Sequence, residues 1–464
     1  MAHRAQRVYL MNYKKTTHYT TPIYALLTGL VALAPCTLPT IAQLHAQPIS
    51  PPSPHTQDPA RPGLTRYRLT WWGDPSTSAA LGWEQEPGEA EVRYEERARW
   101  LKSQAFSARV SASPPSALGG AHWAHLTGLK PSTAYQVQVV SARGVSAPMW
   151  FETAHSAPRP FRLIAGGDSR NHRSVRRAAN RLVALTAPLA VLFGGDFTAQ
   201  DTRGQWRKWF DDWQLSIDPS GRLTPLVPTR GNHDSEEALA RAWGDPFGRF
   251  YYAFNLGGEQ ARVYTLNSER PAGGEQQEWL AQDLAAHAAA RLKVAQYHKP
   301  MRPHTDMKVE GYDEYTHWAE LFTTHALDLA VECDSHLMKV TAPLRYDPEG
   351  PDGFRRVTRG GTTYIGEGGW GAPLRSVSQV YAWTLKSGRI NHVFLLDVDE
   401  RGSYEARAVE VPREEALDEL LAAPRLHEER ERLLAPWRGF VLRRAPNSAL
   451  STERAGEGEG ARAP

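Results

Sequence analysis

Short apolar runs that end in polar side chains recur through the middle of the chain. Their content of Leu, Val, Ile, Ala and Phe predicts buried strands. Five of these runs lie at 161–165, 189–193, 226–227, 292–297 and 327–331. Each run is followed by an acid, an amide or an imidazole. If the five strands point the same way, these polar side chains converge at one end of a sheet, where sites lie in such folds.

The polar residues after the runs form a mixed set of oxygen and nitrogen donors. The sequence GNHD at 231–234 is the most informative, because Gly231 permits a turn that holds the next side chains at the sheet edge. Alone, it could equally be a polar turn in which Asn232 and Asp234 bind their own backbone. The whole set has too many carboxylates to stay unpaired, and a metal centre with two ions is the simplest way to neutralise them. The six candidate ligands are Asp168, Asp196, Asn232, His298, Asp334 and His336.

The pattern before these runs is different. Short alternating strands separated by turn residues are predicted at 67–72, 80–83 and 91–94. The stretch 126–139, which contains a tyrosine followed by alternating valines, resembles the sixth-strand signature of fibronectin type III domains. We therefore predict an all-β sandwich over 64–156. Its tryptophans are expected in the core, the alternative being a face that binds a carbohydrate or a partner. They are Trp71, Trp72, Trp83 and Trp123.

The rest of the chain adds helices and further strands. Helical spacing of apolar residues predicts helices at 174–185, 205–213, 278–290 and 413–435. Further strands are predicted at 250–254, 263–268, 382–385 and 392–398. The arginines of the first helix are expected to form a solvated face, and the tryptophans of the second to pack on a sheet. These elements predict an α/β catalytic domain over 160–411 and a C-terminal helix with a disordered tail over 412–464.

The first 46 residues have the layout of an export signal. Four basic residues within the first fifteen precede an apolar stretch at 23–34 and small residues around Ala46. The apolar stretch is shorter than the roughly 20 residues that a membrane span needs. We expect a cleaved signal peptide at 1–46, a linker at 47–63 and no stable membrane span after cleavage. The protein is then exported and is periplasmic, secreted or at the cell surface.

Composition adds two constraints. The chain has 464 residues with 54 basic and 51 acidic side chains and a formal net charge of +3, so nothing in its charge balance indicates a nucleic-acid partner. If cleavage removes Cys36, only Cys333 remains, and the mature chain has no internal disulfide. Its stability must then come from packing, which large exported domains can supply without disulfides.

The motifs GD, GGD, GNHD, His and x-His follow one another along the chain. This order resembles that of the calcineurin-like metallophosphoesterases, and of their purple acid phosphatase branch in particular. The resemblance covers roughly residues 64–411. It implies a four-layer αββα domain, with two mixed β-sheets flanked by helices and a dinuclear metal centre on loops at the strand ends. Plant-type purple acid phosphatases carry a fibronectin type III-like domain before the catalytic one, in agreement with the predicted order.

The resemblance also implies a role for each matched ligand. Asp196 would bridge two metal ions, which would be divalent or trivalent iron, manganese or zinc. Asp168 and His336 would bind one of these ions, and Asn232 and His298 would bind the other.

Three positions depart from the family pattern. Ala199 stands where purple acid phosphatases carry a tyrosine, so the phenolate that colours them is missing. Asp334 replaces an imidazole of the last motif, which favours iron or manganese over zinc. Arg170 replaces a histidine of other branches; it cannot bind a cation, but its guanidinium suits a phosphate oxygen. The first ion then keeps three obvious ligands, so an acid such as Glu332 completes the set, or one site is weak or empty.

The expected reaction is hydrolysis of a phosphate monoester by a metal-activated water. Arg170 and His233 are expected to contact the phosphoryl group of a small phosphorylated substrate. His233 or His304 is expected to protonate the leaving oxygen, although His304 could equally be an exposed loop histidine. A glycine-rich loop at 360–371 is expected beside the site. Two alternatives remain open: a phosphodiesterase acting on nucleotides or phospholipid head groups, and a degenerate, non-catalytic protein that binds a surface partner.

Overall fold

The computed structural model describes residues 63–113, 121–244, 247–423 and 426–447. The predicted signal peptide, nearly all of the predicted linker and the predicted tail from residue 448 onward lie outside these ranges. None of the helices within them combines the length and the hydropathy that a bilayer crossing requires. The described chain consists of a β-rich N-terminal part and a larger α/β part.

The N-terminal part is a sandwich of two antiparallel sheets, as predicted. Its strands are β1 Thr65–Thr70, β2 Ala79–Glu84, β3 Ala90–Glu96, β4 Ala108–Ser111, β5 His122–Leu126, β6 Ala134–Ser141, β7 Gly144–Val145 and β8 Met149–Glu152, and a short helix, α1, spans Arg97–Ser103. One sheet has the order β1-β2-β5, and the other has the order β4-β3-β6-β7, with β8 also paired to β6. The Tyr135 hydroxyl accepts a hydrogen bond from the Lys130 backbone N–H at 2.9 Å, and Val137 and Val139 are fully buried between the sheets. The tyrosine thus occupies the corner position that the sequence pattern predicted.

The α/β part is built on two mixed sheets. Its strands are β9 Phe161–Gly166, β10 Ala190–Phe193, β11 Leu226–Pro228, β12 Tyr252–Leu256, β13 Ala261–Thr265, β14 Leu292–Gln296, β15 Leu329–Glu332, β16 Met338–Thr341, β17 Leu344–Tyr346, β18 Phe354–Arg356, β19 Thr363–Gly366, β20 Thr384–Gly388, β21 His392–Val398, β22 Tyr404–Glu410 and β23 Leu442–Arg444. The first sheet has the order β11-β10-β9-β21-β22-β23, and the second has the order β12-β13-β14-β15-β19-β16-β20. The strands β17 and β18 form a separate pair. In the first sheet β9, β10 and β11 are parallel, and in the second β13, β14, β15 and β19 are parallel.

Helices cover the outer faces of both sheets, which completes the four-layer arrangement. They are α2 Arg173–Thr186, α3 Arg203–Trp213, α4 Glu236–Trp243, α5 Glu275–Ala286, α6 Tyr312–Thr324, α7 Glu414–Ala422 and α8 His427–Leu433. Successive residues of β9 point to opposite faces, as in any strand. Leu163 therefore lies in the core between the sheets together with Val294 of the second sheet, whereas Ile164 joins Leu182 of α2 and Trp209 of α3 in the outer core. The predicted αββα architecture is confirmed.

Two expectations about the helices are wrong. The arginines of α2 do not all form a solvated face, because Arg176 is buried and pairs with the buried carboxylate of Asp212 at 2.5 Å. The single helix predicted at 413–435 is two helices, since Ala423 leaves the helical region with φ −131° and ψ 73°. The chain beyond residue 411 also contributes β23 to the first sheet.

The sandwich packs directly on the α/β part. The Arg68 guanidinium lies 3.7 Å from the centre of the Phe210 ring of α3, and the Trp72 indole N–H donates to the Trp243 carbonyl of α4 at 3.0 Å. The predicted core role of the tryptophans is confirmed for Trp71, Trp83 and Trp123, which are all buried; Trp72 is partly buried against α4.

Candidate metal centre

The side chains that the sequence singled out do meet in space. Three of the ligand positions follow strands of the first sheet, and the others follow strands of the second. In chain order, Asp168 follows β9, Asp196 follows β10, Asn232 follows β11, His298 follows β14, and Asp334 and His336 follow β15. The expectation that they converge at the end of a single sheet is therefore wrong. They lie where the strand ends of two stacked sheets come together.

The backbone turns sharply at four of these residues. Their φ angles are positive, a region that non-glycine residues adopt uncommonly. The angles are +60° at Asp168, +57° at Asp196, +70° at Asp334 and +56° at His336. Such strain persists only where the surrounding structure imposes it, and it is typical of functional sites.

His298 occupies the middle of the oxygen donors. Its Nε2 atom lies 3.1 Å from Asn232 Oδ1, 3.4 Å from Asp196 Oδ1 and 3.5 Å from Asp334 Oδ1. Its Nδ1 atom lies 2.7 Å from the Gly194 carbonyl oxygen, and because a carbonyl only accepts, Nδ1 carries the donated proton. This hydrogen bond orients Nε2 toward the oxygen donors, as the outer partner of a metal-binding histidine does.

Asp168 and His336 form a neighbouring pair. The distance from His336 Nε2 to Asp168 Oδ1 is 3.1 Å, and His336 Nδ1 donates to the Pro373 carbonyl at 2.9 Å. The other carboxylate oxygen of Asp168 accepts the backbone N–H of Asp334 at 2.8 Å, which ties the ends of β9 and β15 together.

The donor set suits a metal ion. The ligand atoms of Asp168, Asp196, His298 and Asp334 all lie within 4.8 Å of one another, and all four residues are buried. Asp168 Oδ1 and Asp196 Oδ2 are buried carboxylate oxygens that have no hydrogen-bond partner among the described residues. Asp196 Oδ2 lies 3.3 Å from Arg170 Nε as an ion pair. A buried charge is costly unless it is paired or coordinates a metal, so a bound cation would satisfy Asp168 Oδ1 in particular. Carboxylate, amide and imidazole donors in this mixture fit iron or manganese.

Arg170 reaches into the same cluster. Its Nη2 atom lies 3.0 Å from His336 Nε2, its Nη1 atom is hydrogen bonded to His233 Nε2, and its Nε atom lies 3.3 Å from Asp196 Oδ2 as an ion-pair contact. The structure therefore places both predicted phosphoryl contacts, Arg170 and His233, beside the metal ligands.

His233 is held by two further hydrogen bonds. Its backbone N–H donates to Asp196 Oδ1 at 2.9 Å, and its Nδ1 atom donates to the Ala199 carbonyl at 2.8 Å. The side chain is only partly buried, so this imidazole, which the sequence predicts to be catalytic, has access to solvent. The Ala199 backbone thus supports the site even though its side chain lacks the family's phenolate.

Asp234 is not among the predicted ligands, and its carboxylate supports the loops that carry them. Its carboxylate is buried and accepts the backbone N–H groups of Asp196 at 2.7 Å, Gly231 at 3.0 Å and Phe197 at 3.1 Å. The polar-turn interpretation of GNHD is thus correct for its aspartate, and the same contacts fix the loop that presents Asp196. Asp234 could have been found as the last residue of a motif whose other members face the site.

The pKa values of the clustered side chains are shifted by burial and by the charges of neighbouring residues. Burial raises the pKa of Asp196. Burial alone would raise the pKa of Asp334, but the hydrogen bond and charge of His298, together with Lys308, hold it well below its usual value. Burial alone would lower the pKa of His298, but the charges of Asp196 and Asp168 raise it well above its usual value. Without a metal, the cluster is thus held as ion pairs.

Lys308 also contacts the cluster, and no sequence motif pointed to it. Its ammonium group forms an ion pair with Asp334 Oδ1, and its side chain is largely buried. Arg375 lies nearby and donates to the Asp334 backbone carbonyl at 2.7 Å. A single lysine in the irregular segment before α6 carries no periodic signal, so only the folded structure reveals this contact.

Two other candidates lie in a different environment. His304 is fully buried, with its Nδ1 atom 3.4 Å from Glu367 Oε1 and its Nε2 atom 2.8 Å from Thr384 Oγ1. It is neither an exposed loop histidine nor placed to protonate a leaving group. Glu332 cannot complete a metal site, because its carboxylate binds the Lys339 ammonium at 2.6 Å and the Tyr297 hydroxyl at 2.7 Å. Both residues belong to a buried polar network behind the ligand loops.

The glycine-rich loop lies beside the site, as expected. Gly368 has φ +78°, and a Cβ atom there would lie 1.8 Å from Asp168 Oδ2. Any side chain at this position would displace the ligand, so the absence of a side chain is what lets the loop approach Asp168.

These features define a metallophosphoesterase architecture: two stacked mixed sheets between helices, with acidic and imidazole donors on the loops where strand ends meet. Residues 64–153 match the purple acid phosphatase N-terminal domain, and residues 155–336 match the calcineurin-like phosphoesterase family. The chain thus carries a purple acid phosphatase N-terminal domain followed by a calcineurin-like phosphoesterase domain.

Comparison with individual proteins agrees with this assignment. An uncharacterized protein of Mycobacterium tuberculosis is 25% identical over 274 residues, which cover 48% of this chain and 51% of the relative. The chain thus spans about half the length of the curated relatives it matches. A purple acid phosphatase from yellow lupin (Lupinus luteus) seeds has a similar fold, with a TM-score of 0.60 at 14% identity over 75% of this chain and 72% of that chain. The structure of PhoD also has a TM-score of 0.60, at 11% identity over 75% and 88% of the two chains.

Proposed function

We propose that the protein hydrolyses phosphate monoesters in a metal-dependent reaction. The observation that carries the proposal is the convergence of the ligand atoms of Asp168, Asp196, His298 and Asp334 within 4.8 Å, inside a calcineurin-like phosphoesterase domain. Asn232 and His336 complete the proposed ligand set. A bound metal ion supplies Lewis-acid chemistry and an activated water in such hydrolases.

Two residues of the chain are proposed to bind the phosphoryl group and to protonate the leaving oxygen. Arg170 presents a planar fork of donors that is 11% exposed at the cluster, where it can hold a phosphoryl oxygen. His233 keeps its Nδ1 proton on the Ala199 carbonyl, so its Nε2 atom is the one that faces the reacting group. In this structure Nε2 accepts a hydrogen bond from Arg170, so it must leave Arg170 and take up a proton before the imidazole can donate to the leaving oxygen. Burial of the ligands keeps the carboxylates from being solvated by bulk water.

The proposal includes export from the cytoplasm. It is supported by the basic start of the chain, the apolar stretch at 23–34 and the small residues that follow. Fractionation of the producing cells, with N-terminal sequencing of the mature protein, tests it. A protein retained in the cytoplasm with an intact start would contradict export.

The hydrolase proposal is tested with a matched pair of aryl esters. Purified protein is stripped with a chelator and restored with iron, manganese or zinc, and hydrolysis of p-nitrophenyl phosphate and bis(p-nitrophenyl) phosphate is measured. We expect turnover to be lost on stripping, to return with metal, and to favour the monoester. A preference for the diester would contradict the monoester specificity and would indicate a phosphodiesterase. Absence of turnover with every metal would contradict hydrolysis itself and would support a non-catalytic binding role.

A further inference from the structure

The donors of the centre are divided unevenly between two positions for a cation. At the first position, three oxygens surround His298 Nε2 at 3.1–3.5 Å, from Asn232, Asp196 and Asp334. Neighbouring ligands of one small ion lie about 3 Å apart, so these donors suit a single ion. The carboxylate of Asp168 lies close enough to the Asp196, His298 and Asp334 donors to join them.

The second position has few donors of its own. Apart from Asp168 and the shared Asp196, the donor that the described part of the chain offers to this second position is His336. The His336 Nδ1 atom donates to the Pro373 carbonyl, so the lone pair of this imidazole is on Nε2. That lone pair accepts a hydrogen bond from Arg170 Nη2 at 3.0 Å and is therefore already in use.

Arg170 fills the rest of the second position. Its Nε atom lies 3.3 Å from Asp196 Oδ2, whereas the His298 contact is to Asp196 Oδ1, and its Nη1 atom binds His233. The guanidinium thus contacts the groups that a second ion would need. It cannot be deprotonated in a protein, so it is a permanent positive charge at this place.

The net charge of the cluster also disfavours a second metal ion. Three carboxylates, those of Asp168, Asp196 and Asp334, face three cationic side chains, Arg170, Lys308 and Arg375. These charges balance, so a single divalent ion already gives the cluster a net positive charge. A second divalent ion would be placed against a fixed cation at contact distance, where like charges repel strongly.

We propose that the centre holds one metal ion, at the His298 position, and that the Arg170 guanidinium takes the place of a second ion. This inference rests on the proposed metal-dependent function and narrows the two-ion expectation that came from the family resemblance. Arg170 then supplies, without a metal, the positive charge on the His336 side of the substrate.

Metal stoichiometry tests the inference. The wild-type protein and Arg170→His are saturated with Mn²⁺, desalted and analysed by inductively coupled plasma mass spectrometry, with calorimetric titration of the stripped proteins in parallel. We expect one equivalent in the wild type and two in Arg170→His, because the substitution removes the cation and adds an imidazole donor. Arg375→Met is the control: it removes a nearby cation whose guanidinium donates to the Asp334 backbone carbonyl and not to a ligand side chain, and it should stay at one equivalent.

The outcomes separate this inference from the proposed function. Two equivalents in the wild type would overturn the single-ion centre while leaving the hydrolase intact. One equivalent in a folded Arg170→His would also overturn it, since the guanidinium would not be what excludes the second ion. The wild-type result decides by itself if the variant does not fold. A wild type that takes up no metal would overturn the proposed function as well, and a loaded protein without phosphate ester turnover would overturn the function alone.

Discussion

Replacement of Asp196 by Asn is expected to abolish hydrolysis of an aryl phosphate without unfolding the protein. The side chain is fully buried and lies 3.4 Å from His298 Nε2 and 3.3 Å from Arg170 Nε, so it contacts both cation positions. An amide keeps an oxygen for the His233 N–H but removes the negative charge. Loss of one preorganised electrostatic group lowers turnover by about 10²–10³-fold, and we expect at least this reduction in kcat.

The control for this variant is Asp211→Asn. Asp211 lies on α3, is half exposed and pairs with Arg66, away from the ligand loops. It should retain full turnover. Both variants should show the wild-type circular dichroism spectrum, and bound metal should fall only in Asp196→Asn. A kcat for Asp196→Asn within tenfold of the wild type would rule out its role as a metal ligand.

Replacement of Lys339 by Met is expected to give the largest loss of stability. The ammonium group is 2.6 Å from Glu332 Oε2 and 2.5 Å from Glu367 Oε1, and all three residues are at most 1% exposed. Burial alone would raise the pKa of Glu367, but the charge of Lys339 lowers it to about 2. Without the lysine, two carboxylates are buried with no cation between them. Breaking a buried pair in this way costs about 3–5 kcal/mol.

The comparison variant for stability is Lys130→Met. Lys130 also forms an ion pair at 2.6 Å, with Glu96, but its side chain is 62% exposed. Exposed pairs contribute about 0–1 kcal/mol, so this variant should unfold close to the wild type. Calorimetric unfolding of both variants measures the difference. Equal stabilities would mean that the buried network is not a determinant of the fold.

The same network explains why Lys339→Met should also reduce metal binding. Glu332 ends β15, two residues before Asp334, and Glu367 is adjacent to Gly368, which packs on Asp168. Uncompensated charge at these two carboxylates therefore disturbs the loops that carry two ligands.

The positions of the ligands could be predicted because the signal is local. An apolar run that stops at a polar residue marks a strand end, and strand ends are where Asp168, Asp196 and His298 lie. The residue order then identified the family. What the pattern could not give was the pairing of the strands. The ligands belong to two sheets rather than one, because β9, β10 and β11 pair with one another and β14 pairs with β15, and the apolar runs do not show which of them pair.

Residues without a periodic or motif signal were missed or misplaced. Lys308 reaches Asp334 from an irregular segment, and Lys339 is a single charge within a buried strand. His304 follows His298 by six residues, which suggested a shared site, but its carboxylate partner, Glu367, holds it in the buried network. In each case the deciding interaction is a side-chain contact between different strands or loops, and sequence spacing carries no information about such contacts.

The most direct test of the metal centre is anomalous diffraction from crystals of the wild-type protein saturated with Mn²⁺. We predict an anomalous peak about 2.0–2.3 Å from His298 Nε2, from a carboxylate oxygen of Asp196 and from Asn232 Oδ1. Absence of a peak at this place in metal-saturated crystals, with His298 still paired to Asp334 and Asp196, would contradict the account.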